Sequence, residues 1–71
     1  MKLLGILAAQ SPQYATQLHR VYRAADAQDL PVDRLCAAVE CMYMSNLHMA
    51  LEDCVSAAEK NGSMLIRTYV R

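Results

Sequence analysis

The chain has no phenylalanine, no tryptophan, and only two glycines and two prolines in 71 residues. Its core is therefore expected to be built from Tyr, Met, Leu and Ala. The scarcity of Gly and Pro, together with the abundance of Ala, favours helices over a turn-rich β architecture. There is no net charge, because seven Lys and Arg balance seven Asp and Glu. No overall field draws the chain to nucleic acid or to an anionic membrane. No stretch approaches the roughly 20 apolar residues that cross a bilayer. The three cysteines are an odd number without Cys-x-x-Cys spacing. That weakens both a secreted disulfide scaffold and a standard zinc site, and points to free thiols in a reducing cytoplasm.

What is present is a chain 55% hydrophobic and 20% charged, a composition that folds. It is one small domain, whose core supplies only roughly 3–5 kcal/mol without staples or oligomerisation. The charges are segregated: all seven acids lie between Asp26 and Glu59, where Arg34 is the sole base. Lys2, Arg20, Arg23, Arg67 and Arg71 sit toward the ends, so internal pairing of basic ends with an acidic middle is expected.

Met1 to Ala9 is an apolar run behind one Lys. It is shorter than a secretory leader of ~15–30 residues and is expected to pack on the core. Ser11-Pro12 is an N-cap followed by a proline preorganised for the first turn. The predicted helix runs 12–27, with Tyr14, Leu18, Val21, Tyr22 and Ala25 as its apolar stripe. Gln28-Asp29-Leu30-Pro31 is a short connection, and short connections join antiparallel neighbours.

The dominant feature is the run from Asp33 to Lys60, which contains neither Gly nor Pro and reads as one long helix ended by Asn61-Gly62. At 1.5 Å per residue it would span about 42 Å, against about 24 Å for 12–27. At 100° per residue, Cys36, Val39, Tyr43, Leu47, Ala50, Leu51, Cys54, Ala57 and Ala58 fall on one broad face. Leu35, Met42 and Met49 form a second stripe at seven-residue spacing. So much apolar surface implies a partner, by dimerisation or by capture of another protein. The tail 64–71 is rich in β-branched and aromatic residues, with Met64, Ile66, Thr68 and Val70 alternating with Leu65, Arg67, Tyr69 and Arg71, and is expected to be extended. Asn61-Gly62-Ser63 also matches a glycosylation sequon, which in a cytosolic chain is only a helix stop.

The predicted architecture is all-α: an antiparallel helical hairpin with one long central helix (33–60), an apolar N-terminal segment (1–10) and an extended C-terminal tail, forming a homodimer. The expected dimer or core face is Tyr43, Leu47, Leu51 and Cys54. The expected partner-binding residues are Leu35, Met42, Met49, Ile66 and Tyr69. An alternative is a soft-metal site for copper or zinc from Cys41, Met44 and His48, which a continuous helix would place on one side. Against it, Met and free Cys are common core fillers. Cys36 and Cys54 would lie about 27 Å apart on such a helix, too far to bond within one chain.

Catalysis by His19 or His48 with a cysteine would need a concave site and oxyanion donors, which a hairpin does not offer. Arg20 and Arg23 do not sit in a nucleic-acid reading helix. The expectation is therefore a cytoplasmic protein with no enzymatic activity, no cofactor, and no nucleic-acid or membrane partner. Its partner would be another protein. In size and architecture alone the chain resembles small accessory or regulatory proteins of bacteria and their phages. Size and architecture do not set function; the expected role as adaptor, regulator or inhibitor rests on the surplus apolar surface.

Overall fold

Ser11 and Pro12 start a helix for local reasons. Ser11 is extended (φ −155°, ψ 136°), and its side-chain oxygen accepts a hydrogen bond from the Gln13 N–H at 3.2 Å. Pro12 stands in the first turn, where a missing N–H forfeits no intrahelical bond. The computed structural model describes residues 3–70. Its regular structure is helical throughout: α1 (Leu3–Gln10), α2 (Pro12–Ala27), α3 (Val32–Ser45) and α4 (Leu51–Tyr69). Met1, Lys2 and Arg71, the outer ends of the N-terminal segment and the tail, lie outside the described residues.

α2 ends in a left-handed cap. The Leu30 N–H reaches the Ala25 carbonyl at 2.8 Å and the Asp29 N–H reaches that of Asp26 at 3.2 Å, with Asp29 at φ 56°. This paired-bond ending usually takes Gly. A short polar residue such as Asp tolerates it. Pro31 then leads into α3.

The run 33–60 is not one helix. α3 stops at Ser45, residues 46–50 form a loop, and α4 begins at Leu51. Asn46 leaves the helical conformation (φ −123°, ψ 87°) while its side-chain amide donates to the Met42 carbonyl at 2.7 Å. The first turn of α4 carries Glu52 and Asp53, whose charges suit a helix N-terminus. The reason for the break is tertiary. A rod of about 42 Å would overrun a molecule measuring 28 × 25 × 21 Å and leave its apolar faces in water. Broken, α3 packs on α4 more extensively than any other pair of helices packs. Leu35 and Val39 from α3, with Cys54 and Val55 from α4, become fully buried. Burying such side chains at roughly 1.5–3 kcal/mol each outweighs the few intrahelical bonds given up, at a net ~0.5–1.5 kcal/mol each.

The tail is also not extended as far as it is described, because α4 continues to Tyr69. Leu65 and Ile66 enter the core, and that burial overrides the β preference of the segment. Asn61-Gly62 makes a kink in α4 where a stop was expected. Asn61 is non-helical (φ −158°, ψ 75°), and its side-chain oxygen accepts from the Met64 N–H at 3.1 Å, re-capping the chain as a new helical segment.

Gln28 holds this kink. In an unbroken helix the Gly62 N–H would bond the Ala58 carbonyl. Instead the Gln28 carboxamide stands between them: its oxygen accepts from Gly62 N–H at 2.8 Å and its nitrogen donates to Ala58 O at 2.8 Å. The same nitrogen also reaches Ala24 O at 3.1 Å, tying the amide to its own helix. A side chain from the end of α2 thus completes the backbone ladder of α4. Gly62 lets these helices approach closely: a Cβ there would lie 2.8 Å from Leu30 Cδ1 and 2.9 Å from Leu35 Cδ1, so both side-chain ends would have to shift.

Four alanines, Ala24, Ala25, Ala38 and Ala58, are buried along the helix contacts. Small side chains let helices approach closely, and this is how a core without Phe or Trp fills its volume. α1 lies mainly on α2 and inserts Leu4, 1% exposed. Its first turn is anchored by Glu40 of α3, whose carboxylate accepts from the Leu4 N–H at 3.0 Å.

Candidate functional site

One cleft of about 520 Å³ opens where the first half of α2, the end of α3, the 46–50 loop and the start of α4 meet. Its apolar lining comes from Tyr14, Tyr43, Met44, Leu47, Met49 and Leu51, with Gln17 and Glu52 among its polar groups. The volume lies in the ~300–1,000 Å³ range of formed binding pockets.

Each wall has a local cause. The Ser11 cap fixes the first turn of α2, and the helical period sets Tyr14 and Gln17 on its inward face. The helix end at Ser45 leaves Tyr43 and Met44 on the last turn of α3 with no following turn to cover them. The loop then carries Leu47 outward: it is 91% exposed, the most exposed large hydrophobic side chain among the described residues. Met44 is 66% exposed. Single exposed apolar residues are ordinary, but two of them beside the Tyr14, Tyr43, Met49 and Leu51 side chains of the cleft form a contiguous patch.

A polar cluster supports the far side of the cleft. Arg20 bonds the Glu59 carboxylate through two nitrogens, at 3.0 and 2.6 Å, and also bonds Glu52. Its Nη1 reaches the Gln17 side-chain oxygen at 3.1 Å, while Gln17 Nε2 donates to Glu52 at 3.3 Å. Gln17 is the buried polar residue among the described residues, and both ends of its amide are satisfied. Hydrogen bonds from Arg20 hold the Glu52 and Glu59 carboxyls below their usual range, with Gln17 adding to the effect at Glu52. The two carboxylates in turn raise the Arg20 guanidinium further above its ordinary value. This cluster ties the start and the middle of α4 to α2.

The structure redistributes the residues singled out from sequence. Leu35 and Ile66, expected on a partner surface, are buried core, because the folded-back α3 and the helical tail cover them. Met42, Met49 and Tyr69, from the same expected surface, are half-buried against the core. Of the expected dimer or core face, Leu51 and Cys54 are buried within the chain, Tyr43 is half-buried and Leu47 is outside it. The break in the helix separates Leu47 from that face.

The same break undoes the geometry of the soft-metal triad. Cys41 and Met44 remain on α3 and border a shallow hollow with Leu3 and Ala37. His48 lies past the helix end, in a different hollow beside Asp53. Among the described residues, no group of three or more His, Cys, Asp or Glu side chains could hold a metal ion. Burial, with the Asp53 charge second, pushes the Cys54 thiol up, which keeps it protonated and unreactive at neutral pH.

The cleft therefore gathers residues that sequence spacing had assigned to three separate roles: Tyr43, Leu47 and Leu51 as core, Met44 as metal ligand and Met49 as partner surface. The contribution of α2, through Tyr14 and Gln17, was missed as part of a site. Helical spacing relates residues within one element only and gave no signal for it. No helix among the described residues is long and apolar enough to cross a membrane. Neither models of known protein families, nor curated proteins, nor solved structures give a match to this chain.

Proposed function

We propose that this chain is a small protein-binding module, an adaptor or inhibitor without chemistry of its own, that engages its partner through the α3–α4 loop and the cleft beside it. The observation that carries this reading is Leu47, a large aliphatic side chain 91% exposed at the lip of a cleft lined by both apolar and polar side chains. Holding it there sacrifices roughly 1.5–3 kcal/mol of burial in a chain with little stability to spare. A binding surface recovers that energy on contact. Met44 and Met49 suit such a surface because their side chains adapt to an irregular partner. The half-buried Cys41 and buried Cys54, both unpaired thiols, support the cytoplasmic setting included in this proposal.

The partner is read as a different protein. Leu51 and Cys54, expected on the dimer or core face, are buried in the core of the single chain. The experiment is site-specific photo-crosslinking in cells, with a benzophenone amino acid at position 47 and, as control, at exposed position 26 on α2. The expected result is a discrete heavier product from position 47 that position 26 does not give. Equal, diffuse labelling from both positions would refute the assignment.

A further inference from the structure

Charge gives the loop surface a preference for one class of partner. The cleft and the hollow on the other side of the loop share Asn46, Leu47 and Met49, so Leu47 is a ridge between two depressions. Among the described residues, the side-chain carboxylates on this double surface are Glu52 and Asp53, and no Lys or Arg lines it. Glu52 is held by Arg20 from α2. Asp53 is exposed and takes part in neither ion pair of the described residues. Binding a partner through Leu47 brings that carboxylate against the partner's surface, where a base would be stabilised and an acid repelled.

Resting on the protein-binding reading above, we propose that the occupant is a peptide segment of another protein that carries a bulky aliphatic or aromatic anchor next to Lys or Arg. The anchor fills the cleft and packs along Leu47, while the base lies over Asp53 and the outer edge of Glu52. The anchor supplies affinity and the charge supplies choice of partner and faster encounter.

The test is selection from a library of displayed random twelve-residue peptides against the intact chain. It is followed by titration of the selected peptides against wild type, Leu47→Ser and Asp53→Asn, with circular dichroism confirming that both variants keep wild-type helicity. The expected peptides pair a large apolar residue with Lys or Arg. Their affinity falls about tenfold or more with Leu47→Ser. It falls about two- to fivefold with Asp53→Asn or on raising salt to 0.5 M. Apolar peptides that lose affinity with Leu47→Ser but are indifferent to Asp53 and to salt would overturn this inference and leave the protein-binding reading standing. Peptides unaffected by Leu47→Ser, or no enrichment at all, would overturn both. A solution mass of two chains that reverts to one with Leu47→Ser would make a second copy the occupant, and would also overturn it.

Discussion

Replacing Gln28 by Ala should unfold this protein at markedly lower temperature, although the residue is only half-buried and uncharged. The variant removes the acceptor of the Gly62 N–H and the donor to the Ala58 carbonyl, each 2.8 Å away. Leaving two backbone groups unpaired costs about 1–3 kcal/mol apiece where water cannot replace the partner. Gln28 is partly solvent-accessible, so the lower end applies and the expected loss is about 2 kcal/mol. For a domain of this size, that lowers Tm by about 8–16 °C. The informative companion is Gln28→Glu. A carboxylate accepts from Gly62 N–H but cannot donate to Ala58 O, whereas the protonated acid does both. The folded state therefore raises the carboxyl's pKa above its unfolded value of about 4.3. Its stabilising bond is fully present below that value and is lost as pH rises through the folded pKa. The stability gap between Gln28→Glu and wild type should shrink from pH 7 to pH 4. Acid effects of groups remote from position 28 are shared by both proteins and cancel. Urea unfolding followed by circular dichroism across that range measures the gap, and amide exchange of Gly62 reports the bond directly. A gap independent of pH, or a loss below about 0.5 kcal/mol for Gln28→Ala, would show that α4 repairs its own ladder by straightening, and that Gln28 does not hold the kink.

Two further predictions follow from the same packing. Gly62→Ala, which would stabilise an ordinary helix by about 1 kcal/mol, should instead destabilise by about 1–3 kcal/mol as the new methyl meets the buried Leu35 side chain; thermal unfolding decides the sign. Glu52 and Glu59 have folded-state pKa values below their unfolded ones. The stability they provide is present above pH about 4.3 and is lost as pH falls through the folded values. Wild type should therefore weaken below that point, while Arg20→Met, lacking the guanidinium that lowers both, should show a flatter acid limb in urea unfolding between pH 5 and 3.

Local chemistry made some of the fold legible. Ser11-Pro12 opens α2 at the position where the structure begins it, and Pro31 closes the connection that follows. The all-α class follows from composition and periodicity. The pairing of Arg20 with Glu52 and Glu59 has the pattern expected of basic ends and an acidic middle, although the particular partners were not foreseeable. The loop at 46–50 was invisible because neither Gly nor Pro marks it. Each residue there is compatible with helix in isolation, and Asn46 ends α3 only because the molecule gains by turning. The candidate site was hidden for the same reason, since the cleft exists only where that turn exposes Met44 and Leu47 opposite Tyr14.

By itself the sequence determined that this protein is helical, where α2 begins, and which residues are apolar enough to be buried. It also marked Asn61-Gly62 as a point where helical geometry fails. The tertiary structure decided whether each of those features became a break, a kink or a continuation. Burial of Leu35, Val39, Cys54 and Val55 against one another broke the 33–60 run. Burial of Leu65 and Ile66 drew the tail into α4. Gln28, thirty-four positions from Gly62, supplied the hydrogen bonds that let α4 pass through Asn61 as a kink. Helix boundaries in this chain depend on what distant segments can cover and pair, and spacing along the sequence does not contain that information.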